Sequence, residues 1–102
     1  MNNMQAMIQN VQKLQRQYEK EHQAIEEKEY SYTSGAIKMV MKGNLDLVSI
    51  TFVDEEILEK DNAEMISEMI KLAFDHIKEE INADEEALTS KFNKGLPGGF
   101  KF

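Results

Sequence analysis

Two histidines are the side chains of this sequence best suited to move a proton near neutral pH, and both sit among acids. Glu19 precedes His22 by three residues, while Asp75, Glu79 and Glu80 flank His76. A Glu-x-x-His pair on a helix can ligate a metal, but such centres need matching ligands from neighbouring helices. His-x-x-x-His, a glycine-rich phosphate loop and G-x-S-x-G are all missing. The absence of Cys excludes disulfides and thiolate metal sites. Asp54-Glu55-Glu56 and Asp84-Glu85-Glu86 lack the spacing of a calcium loop and read as solvated runs. The expectation is a protein that is not an enzyme, with no metal, no cofactor and no small-molecule substrate.

The basic residues carry a different chemistry. Lys13, Arg16 and Lys20 stand at i, i+3 and i+7, so a helix places them along one face, where they can neutralise phosphates. Lys91 and Lys94 form a second candidate patch near the C-terminal end. The 102 residues hold 12 bases and 19 acids, for a net charge of −7, and the charge is unevenly placed. Residues 1–24 hold three bases and two acids, residues 91–102 three bases and no acid. Residues 25–90 hold 17 acids and 6 bases. The chain is acidic in its middle and mildly basic at both ends.

The elements that must position these charges follow from periodicity. Met4, Val11, Tyr18 and Ile25 recur every seven residues, with Met7 and Leu14 between them, which predicts a helix over 4–25. So narrow a seam implies a helix that projects and pairs with another, in the same chain or a partner; the alternative is a surface helix over a sheet. Alternation then predicts strands over 28–33, 36–42 and 45–53, joined at Ser34-Gly35 and Gly43-Asn44 as an antiparallel meander. In the third strand Leu45, Leu47, Ser49, Thr51 and Val53 should share one face, opposite Asp46, Val48, Ile50 and Phe52. Asp54-Glu55-Glu56 should end the sheet, with Ile57-Leu58 tucked back as a turn of helix. Asp61-x-x-Glu64 resembles a capping box. Behind it Ile66, Met69, Ile70, Ala73, Phe74, Ile77 and Ile81 form a stripe wide enough to lie on the sheet. This helix should extend toward Ser90, with its last turns clear of the core, before a flexible Gly/Pro tail over about 93–102.

The order helix, three strands, helix resembles the YbaB/EbfC family of bacterial nucleoid-associated proteins. The family strand motif, approximately G-x-V-K-V-x-x-x-G, is matched by Gly35-Ala36-Ile37-Lys38-Met39-Val40-Met41-Lys42-Gly43. Its L-P-P-G-F tail is matched by Leu96-Pro97-Gly98-Gly99-Phe100, and its Ala-Ala-Phe helix end by the stretch closing at Phe74. The sequence departs from the pattern in a shorter turn before Gly35 and in its few positive charges. The resemblance implies a homodimer whose long helices project like tweezers, binding DNA with weak sequence preference. Gly35, Lys38 and Gly43 match the motif, the glycines as structural residues.

Together these readings give an α+β fold in one domain over 1–102: N-terminal helix, three-stranded antiparallel sheet, C-terminal helix. The expected partners are double-stranded DNA and a second copy. DNA would meet Lys13, Arg16, Lys20, Lys91 and Lys94, and the dimer would use Met4, Met7, Val11, Leu14 and Tyr18. No apolar run approaches the roughly 20 residues of a membrane span, and the N-terminus lacks a signal-peptide layout. The expected location is the cytoplasm, at the nucleoid. The rival reading is a protein-interaction dimer that uses its Met-rich surface and does not touch DNA.

Overall fold

A computed structural model describes residues 3–98 and 101–102; Gly99 and Phe100 of the closing motif lie outside the described residues. Helix α1 spans Asn3–Glu27, followed by strands β1 (Glu29–Ser34), β2 (Ile37–Lys42) and β3 (Leu47–Phe52). Two short 3-10 turns, Glu55–Ile57 and Lys60–Asn62, lead into helix α2 (Ala63–Asn93). The strands form one antiparallel sheet in the order β1-β2-β3. Cross-strand pairing sets Tyr30 against Met41 and Tyr32 against Met39, so all four side chains share the inner face. There α2 lays down Ala73, Ile77 and Ile81, which close the core over Tyr30, Met39 and Met41.

Several local expectations are corrected. Asp61 lies in the second 3-10 turn and caps nothing; α2 starts at Ala63, preceded by Asn62, whose side chain donates to the Ile57 carbonyl at 3.0 Å instead. Asp54 does end the sheet, its carboxylate accepting from the Glu56 N–H at 3.0 Å. Leu58 is exposed rather than tucked back. The β2–β3 connection runs over four residues, with Leu45 at φ 71° and the Asn44 side chain accepting from the Asp46 N–H at 2.9 Å. A bulge opposite Val40/Met41 then breaks the alternation of β3: Leu47 faces Met41, on the same side as Ile50 and Phe52.

The largest correction concerns where the helices end. Helix α2 runs to Asn93, and its last turns are not clear of other structure. Leu88 and Phe92 are buried, because the C-terminal half of α2 packs antiparallel on α1. Of the two alternatives for the first helix, pairing within the chain is the one observed. The molecule measures 71 × 19 × 13 Å with a radius of gyration of 20.1 Å. A compact chain of this length would have about 13 Å. A sheet and half of α2 make a body, and α1 with the rest of α2 makes an arm.

One glycine fixes the junction. The Gly43 N–H donates to the Lys28 carbonyl and the Asn44 N–H to the Glu26 carbonyl, at 3.0 and 3.1 Å. A Cβ on Gly43 would stand 1.9 Å from the Ile25 carbonyl oxygen. Backbone would have to move. Gly43→Ala should therefore lower unfolding free energy by more than about 1 kcal/mol in urea denaturation. Gly98→Ala, where a Cβ meets open space, should stay within about 0.5 kcal/mol.

Candidate nucleic-acid interface

The arm begins where α1 hands over to β1. Asp84, on α2, accepts from the Tyr30 hydroxyl at 2.6 Å and from Lys28 Nζ at 3.0 Å, tying the end of α1, the start of β1 and the middle of α2 together. The Tyr30 hydrogen bond, then that of Lys28, holds the Asp84 carboxyl below the usual carboxylate range. Burial and the Asp84 carboxylate push the Tyr30 phenol well above its ordinary value. Further out, His22 stands 3.1 Å from Glu26 and 3.7 Å from Glu85, and Lys91 lies 2.9 Å from Glu21. At the far end of α2, Tyr18 meets the edge of Phe92 at 5.7 Å between ring centres.

This packing decides which way the charges point. At 3.6 residues per turn, Val11, Leu14 and Tyr18 fall within roughly 60° of arc, and Lys13, Arg16 and Lys20 occupy a similar arc roughly opposite. Val11 is 6 % exposed, and Leu14 and Tyr18 are half-buried. The three basic residues are exposed in consequence, and among the described residues none of them makes an ion pair. Lys94 is exposed just beyond α2 and is likewise unpaired among them. Lys91 differs, since its ammonium pairs with Glu21 and lies 5.3 Å over the Phe92 ring. Its ammonium thus already has partners within the arm.

The residues expected at a dimer interface divide. Val11, Leu14 and Tyr18 are covered by their own chain, whereas Met4 and Met7 are 70 % and 46 % exposed near the start of α1. Sequence reasoning missed three residues that shape the arm, the first being Asp84, which was expected in a solvated run and instead holds Tyr30 and Lys28. Glu21 interrupts the heptad seam and turns out to hold Lys91, and Phe102 stacks on Tyr18 at 4.4 Å. Only the run of bases and rings after residue 90 hinted at Phe102. The histidines are not brought together: His76 stacks on Tyr32 at 3.8 Å and pairs with Glu80 at 2.9 Å, on the body. Among the described residues no group of three or more His, Asp and Glu could hold a metal ion, and no helix is long and apolar enough to cross a membrane.

The chain is similar to known proteins over nearly its whole length. The sequence model of the YbaB/EbfC DNA-binding family matches residues 1–96. A protein of Enterococcus faecalis is 27 % identical over 100 residues, spanning 96 % of this chain and 95 % of its own. One of Ruminiclostridium cellulolyticum is 32 % identical and one of Alkaliphilus metalliredigens 30 %, each over 96 % of this chain and 89 % of its own. All three carry the name nucleoid-associated protein.

The Asp84 hub makes stability depend on acid in a definite direction. A carboxyl whose folded pKa is depressed contributes stability above its unfolded pKa of about 4, lost as pH falls through the folded value. The urea midpoint should hold between pH 5 and 7 and drop below about pH 4. In Asp84→Asn, which keeps an acceptor for Tyr30 but loses the charge facing Lys28, the midpoint should be lower at pH 7 and its acid limb shallower.

Proposed function

The chain belongs to the YbaB/EbfC DNA-binding family, and we propose that it is a nucleoid-associated protein that grips double-stranded DNA with the basic end of its two-helix arm. One observation carries this reading. The contact of Tyr18 with Phe92 and Phe102 brings the two basic segments of the sequence together on the outer part of the arm of a 71 Å molecule. These two segments carry six bases, Lys13, Arg16, Lys20, Lys91, Lys94 and Lys101, with only Glu19 and Glu21 as acids within them. The remaining 66 residues, 25–90, carry 17 acids and 6 bases. A duplex is drawn to one end of the molecule and repelled from the rest.

Phosphate contact by exposed lysine and arginine carries no base information, so binding is largely sequence-independent. Each phosphate neutralised releases counterions, which makes the affinity fall with salt. A homodimer doubles the number of basic ends. The seam residues Val11, Leu14 and Tyr18 are occupied within the chain, which leaves Met4 and Met7 on the arm and a larger apolar surface on the body. There α2 packs chiefly on β1 and β2, leaving an open groove of about 420 Å³ between β3 and α2, lined by Leu47, Ile50, Ile70 and Phe74 among others. Among the described residues the outer edge of β3 also has no strand partner. A second copy that covers this groove completes the layer over the sheet.

Two measurements test the reading. Replacing Lys13, Arg16 and Lys20 together with Ala should weaken binding alike on unrelated duplexes in a mobility shift. The slope of log affinity against log salt should fall by about 0.9 per lost phosphate contact. A parent that shifts no duplex at low salt contradicts DNA binding. For assembly, light scattering should report a dimer for the parent and a monomer for Leu47→Asp, with Met7→Asp still dimeric. The reverse pattern assigns the interface to the α1 seam.

A further inference from the structure

After α2 the chain turns back on itself. The Gly95 N–H donates to the Phe92 carbonyl at 3.1 Å and the Leu96 N–H to the Asn93 carbonyl at 3.3 Å, two successive turns that carry the chain off the end of the helix. Six residues later the Phe102 N–H donates to the Asn93 side-chain oxygen at 2.8 Å, closing a loop on the last residue of the helix. The Phe102 ring then lies flat on Tyr18, 4.4 Å away at 19°, and edge-on to Phe92, 5.6 Å away at 82°. Tyr18 is flanked on another side by His22, stacked at 5.7 Å. Three rings from α1, α2 and the tail thus share one cluster, with near-parallel and edge-to-face geometries that aromatic pairs favour. This cluster forms through the tail, which runs past residue 96, where the match to the family model stops.

Apart from the apolar packing of Leu88 and Phe92 on α1, the side-chain links between the outer halves of the helices, among the described residues, are ion pairs between half-exposed groups, Lys91 with Glu21 and His22 with Glu85. Exposed pairs of this kind hold little. We propose that Phe102 is a positioning residue of the DNA-binding arm: it clasps α1 to the end of α2 and thereby fixes the direction of the Lys13/Arg16/Lys20 stripe. The clasp also anchors Lys101, the residue beside it, at the basic end, next to the α1 segment rather than on a free tail. This rests on the DNA reading above, but the clasp itself is a property of the fold and can be read without DNA.

The test uses the full chain with Phe102→Ala and Phe102→Tyr, neither of which alters side-chain charge. Hydrogen–deuterium exchange of amides in residues 10–21 should speed up several-fold in Phe102→Ala, with the sheet and residues 70–81 unchanged, and Phe102→Tyr should restore the parent rate. Affinity for a duplex at low salt should fall several-fold in Phe102→Ala and recover in Phe102→Tyr. Exchange in α1 that is the same in Phe102→Ala and parent overturns the clasp. Faster exchange with unchanged affinity overturns the positioning role. Faster exchange in a protein whose parent binds no duplex supports the clasp and overturns the DNA reading it was proposed to serve.

Discussion

A 31-residue helix cannot be buried on a sheet of six-residue strands. Strands of that length span about 20 Å, whereas α2 is about 46 Å long. Its apolar stripe must therefore either stop at the sheet or find a second surface. It does both: Ala73, Ile77 and Ile81 spend themselves on Tyr30, Met39 and Met41, and Leu88 and Phe92 then continue onto α1. The overhang is the origin of the elongated shape, and the shape is what allows charge to be separated by position.

The junction between body and arm is polar, and its position follows from the same geometry. Asp84 falls where α2 leaves the sheet, beside the first residues of β1, so one carboxylate can serve both Tyr30 and Lys28. Gly43 lets the β2–β3 loop touch the backbone at the end of α1, where a side chain would collide. Body and arm are thus joined at a hub, while the outer arm is held by Leu88, stacked and edge-on rings and half-exposed ion pairs. Stability should grade from the sheet outward.

The parts of this arrangement that were legible in the sequence are those set by near neighbours. Period-two alternation located three strands, and 3–4 spacing located the face of α2 that meets them. The heptad of α1 correctly implied a helix pairing with another helix, without saying which. What remained hidden depends on residues far apart. Lys91 is an unencumbered base in the sequence and an ion-paired one in the fold because Glu21, 70 residues earlier, lies alongside it. The Leu47 side chain changed face because a bulge at Val40/Met41 inserts a residue that no local pattern announces. Asp61 matched a capping box, yet two consecutive 3-10 turns shifted the start of α2 past it. The last turns of α2 were expected clear of the core because Ala83, Ala87 and Leu88 are a thin stripe for a sheet, yet Leu88 and Phe92 are buried on one helix.

The central claim is that a duplex touches one end of this molecule and avoids the other. A hydrogen–deuterium exchange footprint, recorded with and without a duplex of arbitrary sequence at low salt, addresses it directly. The account predicts slowed exchange in the segments 10–24 and 91–98, with no change in the acidic stretch 54–68 or in β1. Slowed exchange along 54–68 or across the sheet, with the arm unaffected, would contradict it.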